Sequence, residues 1–200
     1  MDPKRIFDLL LSLAALLLLS PLFILISIWV KLDSKGSIFY RQTRVGRKKV
    51  CFKLIKFRTM YGGADRQGLL TVGDHDCRIT RAGYWLRKYK LDELPQLLNI
   101  LRGEMSFVGP RPEVSKYVAL YNPVQQRVLS VRPGITDWAS IEYIDESELL
   151  ARASDPEHFY RTDIIPKKLQ QGLKYIDHKS LWTDLHIIFM TLKCIVLKHH

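Results

Sequence analysis

The chain has 200 residues and a mass of 23.3 kDa, enough for one domain of ordinary size with a single core. With 47% hydrophobic and 26% charged residues and a net charge of +11, its composition excludes both a disordered chain and a polytopic membrane protein. Its three cysteines, Cys51, Cys77 and Cys194, are odd in number and form no CxxC pair, which argues against a disulfide framework or a Cys-based zinc site and points to a reducing, cytosolic face.

Leu9 to Val30 is an uncharged stretch of 22 residues, above the roughly 18 that mark a membrane helix. A signal peptide fits worse, because Trp29-Val30-Lys31 stands where a small-residue cleavage site belongs. Lys4 and Arg5 precede the stretch, and Lys31, Lys35, Arg41, Arg44, Arg47, Lys48 and Lys49 follow it, so both ends claim the cytoplasmic side. Ser20-Pro21 at the midpoint predicts a sharp kink: Pro21 leaves the Leu17 carbonyl without its helical partner, and the Ser20 hydroxyl is expected to bond the Leu16 carbonyl. Each half would reach only about 16 Å at 1.5 Å per residue, which suits a re-entrant hairpin; a Pro-kinked spanning helix stays open on these features alone.

The first 60 residues carry 12 Lys and Arg against three Asp, so most of the excess charge is membrane-proximal. Docking to anionic lipid accounts for it better than nucleic acid, which is not expected as a partner. Ile38 to Met60 predicts a β-hairpin with Val45-Gly46 as its turn, Val50, Phe52 and Leu54 alternating with Cys51, Lys53 and Ile55, and Lys56 and Arg58 sharing one face with Phe57 on the other. Residues 61–76 read as a Gly- and Asp-rich loop, with Asp74, His75, Asp76 and Cys77 as solvated turn formers in preference to a metal cluster. Ile79 to Lys90, with Trp85, Leu86 and Tyr89 among basic residues, has the composition of an interfacial helix.

In Leu91–Gly103 the spacing of Leu94, Leu97, Leu98 and Leu101 predicts a helix with those four on its buried face, Pro95 in its first turn and Gly103 as its left-handed terminator. Asp92 then falls near the N-cap, where free N–H groups and the helix dipole would keep it ionised; a capping aspartate and nothing more is the plain alternative. Pro110 and Pro112 stiffen the backbone on either side of Arg111, giving its guanidinium the form of a phosphate clamp. Arg132-Pro133-Gly134 is a further turn, and residues 140–160, with six acids against Arg152, read as a solvated helix and loop. Ser180 is expected to cap a last helix that packs through Leu181, Leu185, Ile188, Phe189, Leu192, Ile195 and Val196, with Asp184, Thr191 and Lys198 interrupting that face. His199-His200 has the look of an added tail.

Taken in order, Ser20-Pro21, Lys56-Phe57-Arg58-Thr59-Met60, Leu91-Asp92-Glu93-Leu94-Pro95-Gln96-Leu97, Met105–Glu113 with its Gly109-Pro110-Arg111-Pro112, and Val131–Thr136 resemble the bacterial sugar transferases, the monotopic phosphoglycosyl transferases. The resemblance implies a helix-rich α+β enzyme with a re-entrant membrane helix over residues 1–35 and a cytosolic, interfacial catalytic domain over 36–200. It implies transfer of a sugar 1-phosphate from a nucleotide sugar, usually a UDP-sugar, to undecaprenyl phosphate at the cytoplasmic face of the bacterial inner membrane. Asp92 maps onto the family's nucleophile, and Asp92 with Glu93 onto its Mg²⁺ site. Arg111, with Lys56, Arg58, Arg87 and Arg132 as further candidates, would then meet substrate phosphate, although interfacial lipid contact explains Arg87 and Lys56 equally well. Two departures, Asp137 where many members have Gly and Gly172 where many have an acid, leave donor specificity open. A non-enzymatic, membrane-anchored basic module is the competing class, and a homo-oligomeric assembly stays open.

Overall fold

The computed structural model describes residues 2–68, 70–73 and 76–197. Asp74, His75, Lys198, His199 and His200, singled out above, lie outside that set. The protein is a helix-rich α+β structure with two small sheets.

Helix α1 (Pro3–Leu18) and helix α2 (Ser20–Asp33) meet at a bend of 63°. The bend falls where the sequence puts it, with one change of partner. Ser20 Oγ donates to the Leu17 carbonyl at 2.8 Å, the very group that Pro21 deprives of an amide, and not to that of Leu16. Among the described residues no single helix is long and apolar enough to cross a membrane; taken together, the bent pair has that length and apolar composition. Leu10, Leu13, Leu17, Leu18, Ile24, Leu25 and Leu32 stand exposed along it.

Strand β1 (Phe39–Val45) pairs antiparallel with β2 (Cys51–Phe57), Tyr40 facing Lys56 and Arg44 facing Phe52. The two-residue turn expected at Val45-Gly46 is instead a longer loop with a 3-10 turn over Arg47–Lys49, in which Lys48 and Lys49 take positive φ. Phe52 and Leu54 are buried and Cys51 and Lys53 exposed, as the alternation requires, but Val50, just before the strand, is exposed and Ile55 on the opposite face is buried. Helix α4 (Gln96–Leu101) packs Leu97 and Ile100 against Phe52 and Leu54, and its Asn99 accepts from the Ile55 amide through Oδ1 at 3.0 Å and donates to the Lys53 carbonyl through Nδ2 at 2.8 Å, so a side chain completes the edge of β2. This overturns the expected helix face. Gln96, Leu97, Asn99 and Ile100 are the buried residues, while Leu94, Leu98 and Leu101 are half-buried. Apolar spacing cannot foresee that a buried amide will replace a strand partner. Gly103 does take the left-handed terminator, with φ 82° and its amide on the Ile100 carbonyl.

Helix α3 (Arg81–Lys88) is capped by the Thr80 hydroxyl and buries Leu86, with Trp85 and the following Tyr89 stacked on its open side. Strand β3 (Ser106–Val108) pairs in parallel with β4 (Gly134–Thr136). Between them lie α5 (Ser115–Val118) and a 3-10 turn over Gln125–Ser130. After β4 come α6 (Trp138–Glu142), α7 (Glu146–Ala151), α8 (Pro156–Phe159), a π-helical turn over Tyr160–Ile164 and α9 (Ile165–Asp177). Residues 140–160 are therefore more than a solvated segment: Leu150 and Tyr160 join the core around Tyr117, Tyr121 and Leu169.

Helix α10 (Leu181–Leu197) has the expected Ser180 cap, its Oγ accepting from the Thr183 amide at 3.1 Å. Its packing face differs from the expected one. Asp184 and Ile187 are buried, whereas Leu185, Phe189, Leu192 and Val196 are exposed. Asp184 sets this rotation, because it takes Lys4 Nζ at 2.5 Å and the Tyr175 hydroxyl at 2.7 Å, a buried charge that must keep its partners.

Candidate active site

Both ends of the bent helix pair are fastened to the same body. At the start of α1, Lys4 pairs with Asp184, Arg5 donates to the Ile100 and Leu101 carbonyls at 2.7 and 3.1 Å, and buried Asp8 accepts from Ser106 Oγ and the Phe107 amide, each at 3.1 Å. At the end of α2, Asp33 accepts from the Ala82 amide at 3.1 Å, and Arg58 donates to the Val30, Ser34 and Lys35 carbonyls at 2.7–3.1 Å. Arg58 thereby terminates α2: it is buried, and Nη1 and Nη2 donate to those carbonyls, while its Nε has no partner among the described residues and the residue lines the cavity described next. Arg132 is placed apart from the others. Its Nε donates to the Gly103 carbonyl at 2.9 Å beyond the end of α4, and it does not line the cavity described next.

A cavity of about 980 Å³ opens between these elements. Leu11 and Ala15 of α1, Ile188, Leu192 and Ile195 of α10, and Phe107 and Ile135 form an apolar part of its wall; Tyr117, Tyr121, Tyr143 and Tyr160 add an aromatic part; Lys56, Arg87, Lys90, Asp92, Glu93 and Arg111 supply its charge.

Asp92 and Glu93 do not stand at the N-cap of α4. They form a 3-10 turn, Leu91–Glu93, and α4 begins three residues after it with Pro95 at its cap. The pKa shift therefore runs opposite to the one a helix cap would give. Burial pushes the Asp92 carboxyl up, adjacent Glu93 pushes it further, and Lys56, Arg87 and Lys90 only partly offset this. Glu93 moves the other way: Arg111 and Lys56 hold its carboxyl well below the usual range against the same burial. Lys56 Nζ lies 2.8 Å from Glu93 Oε1 and 3.9 Å from Asp92 Oδ2, and burial lowers its pKa.

Arg111 donates through Nη2 to the same Glu93 oxygen and through Nη1 to the Ile135 carbonyl at 3.0 Å. The prolines are only part of what holds it. Its backbone N–H is accepted by Asp137 Oδ2 at 3.3 Å, while Asp137 Oδ1 caps α6 by taking the Ser140 amide at 2.7 Å and its hydroxyl at 2.6 Å. Gly109 and Gly134 bring β3 and β4 into contact behind this loop; a Cβ on Gly134 would meet the Gly109 amide nitrogen at 2.2 Å. Gly172 likewise lets α9 approach Pro110, 3.3 Å from where its Cβ would stand. Asp137 and Gly172, which the sequence marks as departures, thus support the Arg111 loop from two sides.

Sequence reasoning missed the Glu113 network and Lys90. Glu113 accepts from Arg44 at 2.8 Å and from the Tyr160 hydroxyl at 2.6 Å, burying a carboxylate in the aromatic wall. Nothing in the spacing of these three residues announces the contact. Lys90 is signalled only by its place two residues before Asp92.

Among the described residues no group of three or more His, Cys, Asp or Glu side chains is placed to hold a metal. Magnesium commonly takes one or two carboxylates and completes its shell with substrate phosphate and water. Asp92 and Glu93 fit that requirement, since both side-chain contacts to Glu93 fall on Oε1 and leave Oε2 without a partner among the described residues.

The sequence model of the bacterial sugar transferase family matches residues 2–198, and the chain belongs to that family. It is 40% identical over 197 residues to the undecaprenyl-phosphate glucose phosphotransferase of Komagataeibacter xylinus, covering 95% of this chain and 35% of that one. It is 38% identical over 209 residues to the exopolysaccharide production protein ExoY of Sinorhizobium fredii, covering 97% and 85%. It is 35% identical over 193 residues to the UDP-glucose:undecaprenyl-phosphate glucose-1-phosphate transferase of Escherichia coli, covering 94% and 39%. The chain thus spans well under half the length of two of these three relatives.

Proposed function

We propose that the protein transfers a sugar 1-phosphate from a UDP-sugar to undecaprenyl phosphate and releases UMP, starting glycan assembly at the cytoplasmic face of the bacterial inner membrane. The observation that carries this reading is the cavity itself, which joins a buried acid pair and its ring of cations to an apolar wall built from α1 and α10. An anionic, sugar-bearing donor and a lipid acceptor need those two environments side by side.

In the first step a carboxylate oxygen of Asp92 attacks the phosphorus that bears the sugar. A new P–O bond forms, the P–O bond to UMP breaks, and UMP departs with that electron pair, leaving an aspartyl sugar phosphate. In the second step a phosphate oxygen of undecaprenyl phosphate attacks the same phosphorus and returns the carboxylate. The raised pKa of Asp92 suits a nucleophile, because a less solvated carboxylate holds its electron pair less tightly to water. Arg111, Lys56 and Arg87 offset the charge that would otherwise repel an anionic donor. Asp92 and Glu93 would hold magnesium, whose charge further neutralises the phosphates when bound.

The hairpin reading of the membrane segment is supported by the tethers at both its ends. A spanning helix would have to carry either the Lys4, Arg5 and Asp8 contacts or the Arg58 contacts to the far side of the bilayer.

The test is a burst. With a panel of UDP-sugars, Mg²⁺ and no lipid acceptor, one donor should release UMP stoichiometrically with enzyme, and labelled UMP should exchange back into that donor. UMP release that awaits acceptor would replace the covalent route by direct attack, and no release with any donor, with acceptor present, would remove the transferase reading.

A further inference from the structure

Lys90 stands at the cavity wall in a left-handed backbone conformation, φ 56° and ψ 19°, directly before the 3-10 turn that carries Asp92 and Glu93. That conformation is penalised for any residue with a Cβ and is free for glycine. A lysine there is therefore held against local preference, and it is exposed at the cavity wall. The other cations around the acid pair divide in two. Arg111 and Lys56 are spent on Glu93, as Arg44 is on Glu113. The side chains of Arg87 and Lys90 have no hydrogen bond or ion pair among the described residues, and both charges act on Asp92. An incoming phosphate would have to break an existing ion pair to use Arg111 or Lys56, but not to use Lys90.

We propose that Lys90 binds a substrate phosphate beside Asp92, as a binding residue of the cavity additional to those the sequence motifs indicate. The inference rests on the phosphate-transfer reading above, and the ligand chemistry is a phosphate of either the nucleotide donor or the lipid acceptor. A structural role and a phosphate-binding role predict opposite outcomes at this position. Glycine relieves the backbone penalty while removing the charge, so a structural Lys90 would be replaced without loss.

Lys90→Gly, Lys90→Gln and Lys90→Arg should be compared with the wild-type chain by thermal melting, by calorimetric binding of UDP with Mg²⁺ in detergent free of anionic lipid, and by binding of undecaprenyl phosphate. Lys90→Gly should melt no lower than wild type, yet bind one of the two ligands about tenfold more weakly, the loss expected of one charge-assisted contact. Lys90→Gln keeps the backbone penalty and should show the same loss, and Lys90→Arg should recover to within about twofold. Weakened UDP binding would place the phosphate on the donor, and weakened undecaprenyl phosphate binding on the acceptor. Gly and Gln variants that bind both ligands as wild type does, or an Arg variant that fails to recover, would overturn the inference. Failure of the wild-type chain to bind either ligand would count against the transferase reading instead.

Discussion

Arg111, in the loop after β3, donates to the same Glu93 oxygen that Lys56 of β2 donates to, so a loop cation and a strand cation meet on the carboxylate next to Asp92. Glu93 is thereby ionised and saturated on one oxygen, while Asp92 keeps its burial penalty. Lysine in place of Arg111 would keep the charge but could not serve Glu93 and the Ile135 carbonyl from one planar fork. Arg111→Lys should lower kcat/KM by about 10²-fold, the usual scale for losing one oriented donor group. A variant within twofold of wild type would reduce Arg111 to a loop residue.

The upward shift of the Asp92 pKa has a stability consequence of definite sign. A carboxyl whose folded pKa lies above its unfolded value, about 3.9, destabilises the fold as pH rises through the interval between the two. Asp92→Asn removes that ionisation. It should melt higher than wild type at pH 7, and the difference should shrink as pH falls and vanish only well below about 3.9, where the carboxyl is neutral in the folded and the unfolded chain alike. The same variant should lose the UMP burst. An asparagine variant less stable than wild type at pH 7 would show that the Lys56 contact outweighs the burial.

Arg58→Lys tests the tether at the end of α2. One ammonium cannot satisfy the Val30, Ser34 and Lys35 carbonyls together, so the variant should lose about 1.5–3 kcal/mol of stability, a Tm drop of roughly 3–12 °C for a chain of this size. Donor KM should stay within about twofold. A large rise in KM with an unchanged melting temperature would return Arg58 to the phosphate site.

Topology follows from the same tethers. With the three native cysteines replaced, single cysteines near residues 3 and 34 should both resist an impermeant thiol reagent in intact cells. Labelling of the first alone from outside would restore a spanning helix.

Asp137→Ala removes the α6 cap and the acceptor for the Arg111 amide in one step. It should cost about 1 kcal/mol of stability. If Asp137 also positions the guanidinium, the variant should lower kcat about tenfold in the wild-type background and less than twofold when combined with Arg111→Lys, a non-additivity expected of residues acting through one group. An equal loss in both backgrounds would leave Asp137 as a helix cap only.

What the sequence determines here is whatever depends on neighbours along the chain. The break at Ser20-Pro21, the left-handed terminator at Gly103, the Ser180 cap, the alternation through Phe52 and Leu54, and the family itself are all legible from local chemistry and motif order. What only the tertiary structure decides is which polar groups meet. Asn99 completes the edge of β2 and so rotates α4 away from its leucine stripe; Asp184, held by Lys4 and Tyr175, rotates α10 and leaves its apolar face open; Arg58 and Arg132, two cations in the right motifs, both donate to carbonyls at helix ends. Each is a long-range contact between groups that could not be buried unpaired, and no periodicity in a single segment encodes its distant partner. The reversal at Asp92 has the same origin: a carboxylate that local rules place at a helix cap is withdrawn from water by the packing of the 3-10 turn against β2, and its pKa moves with it.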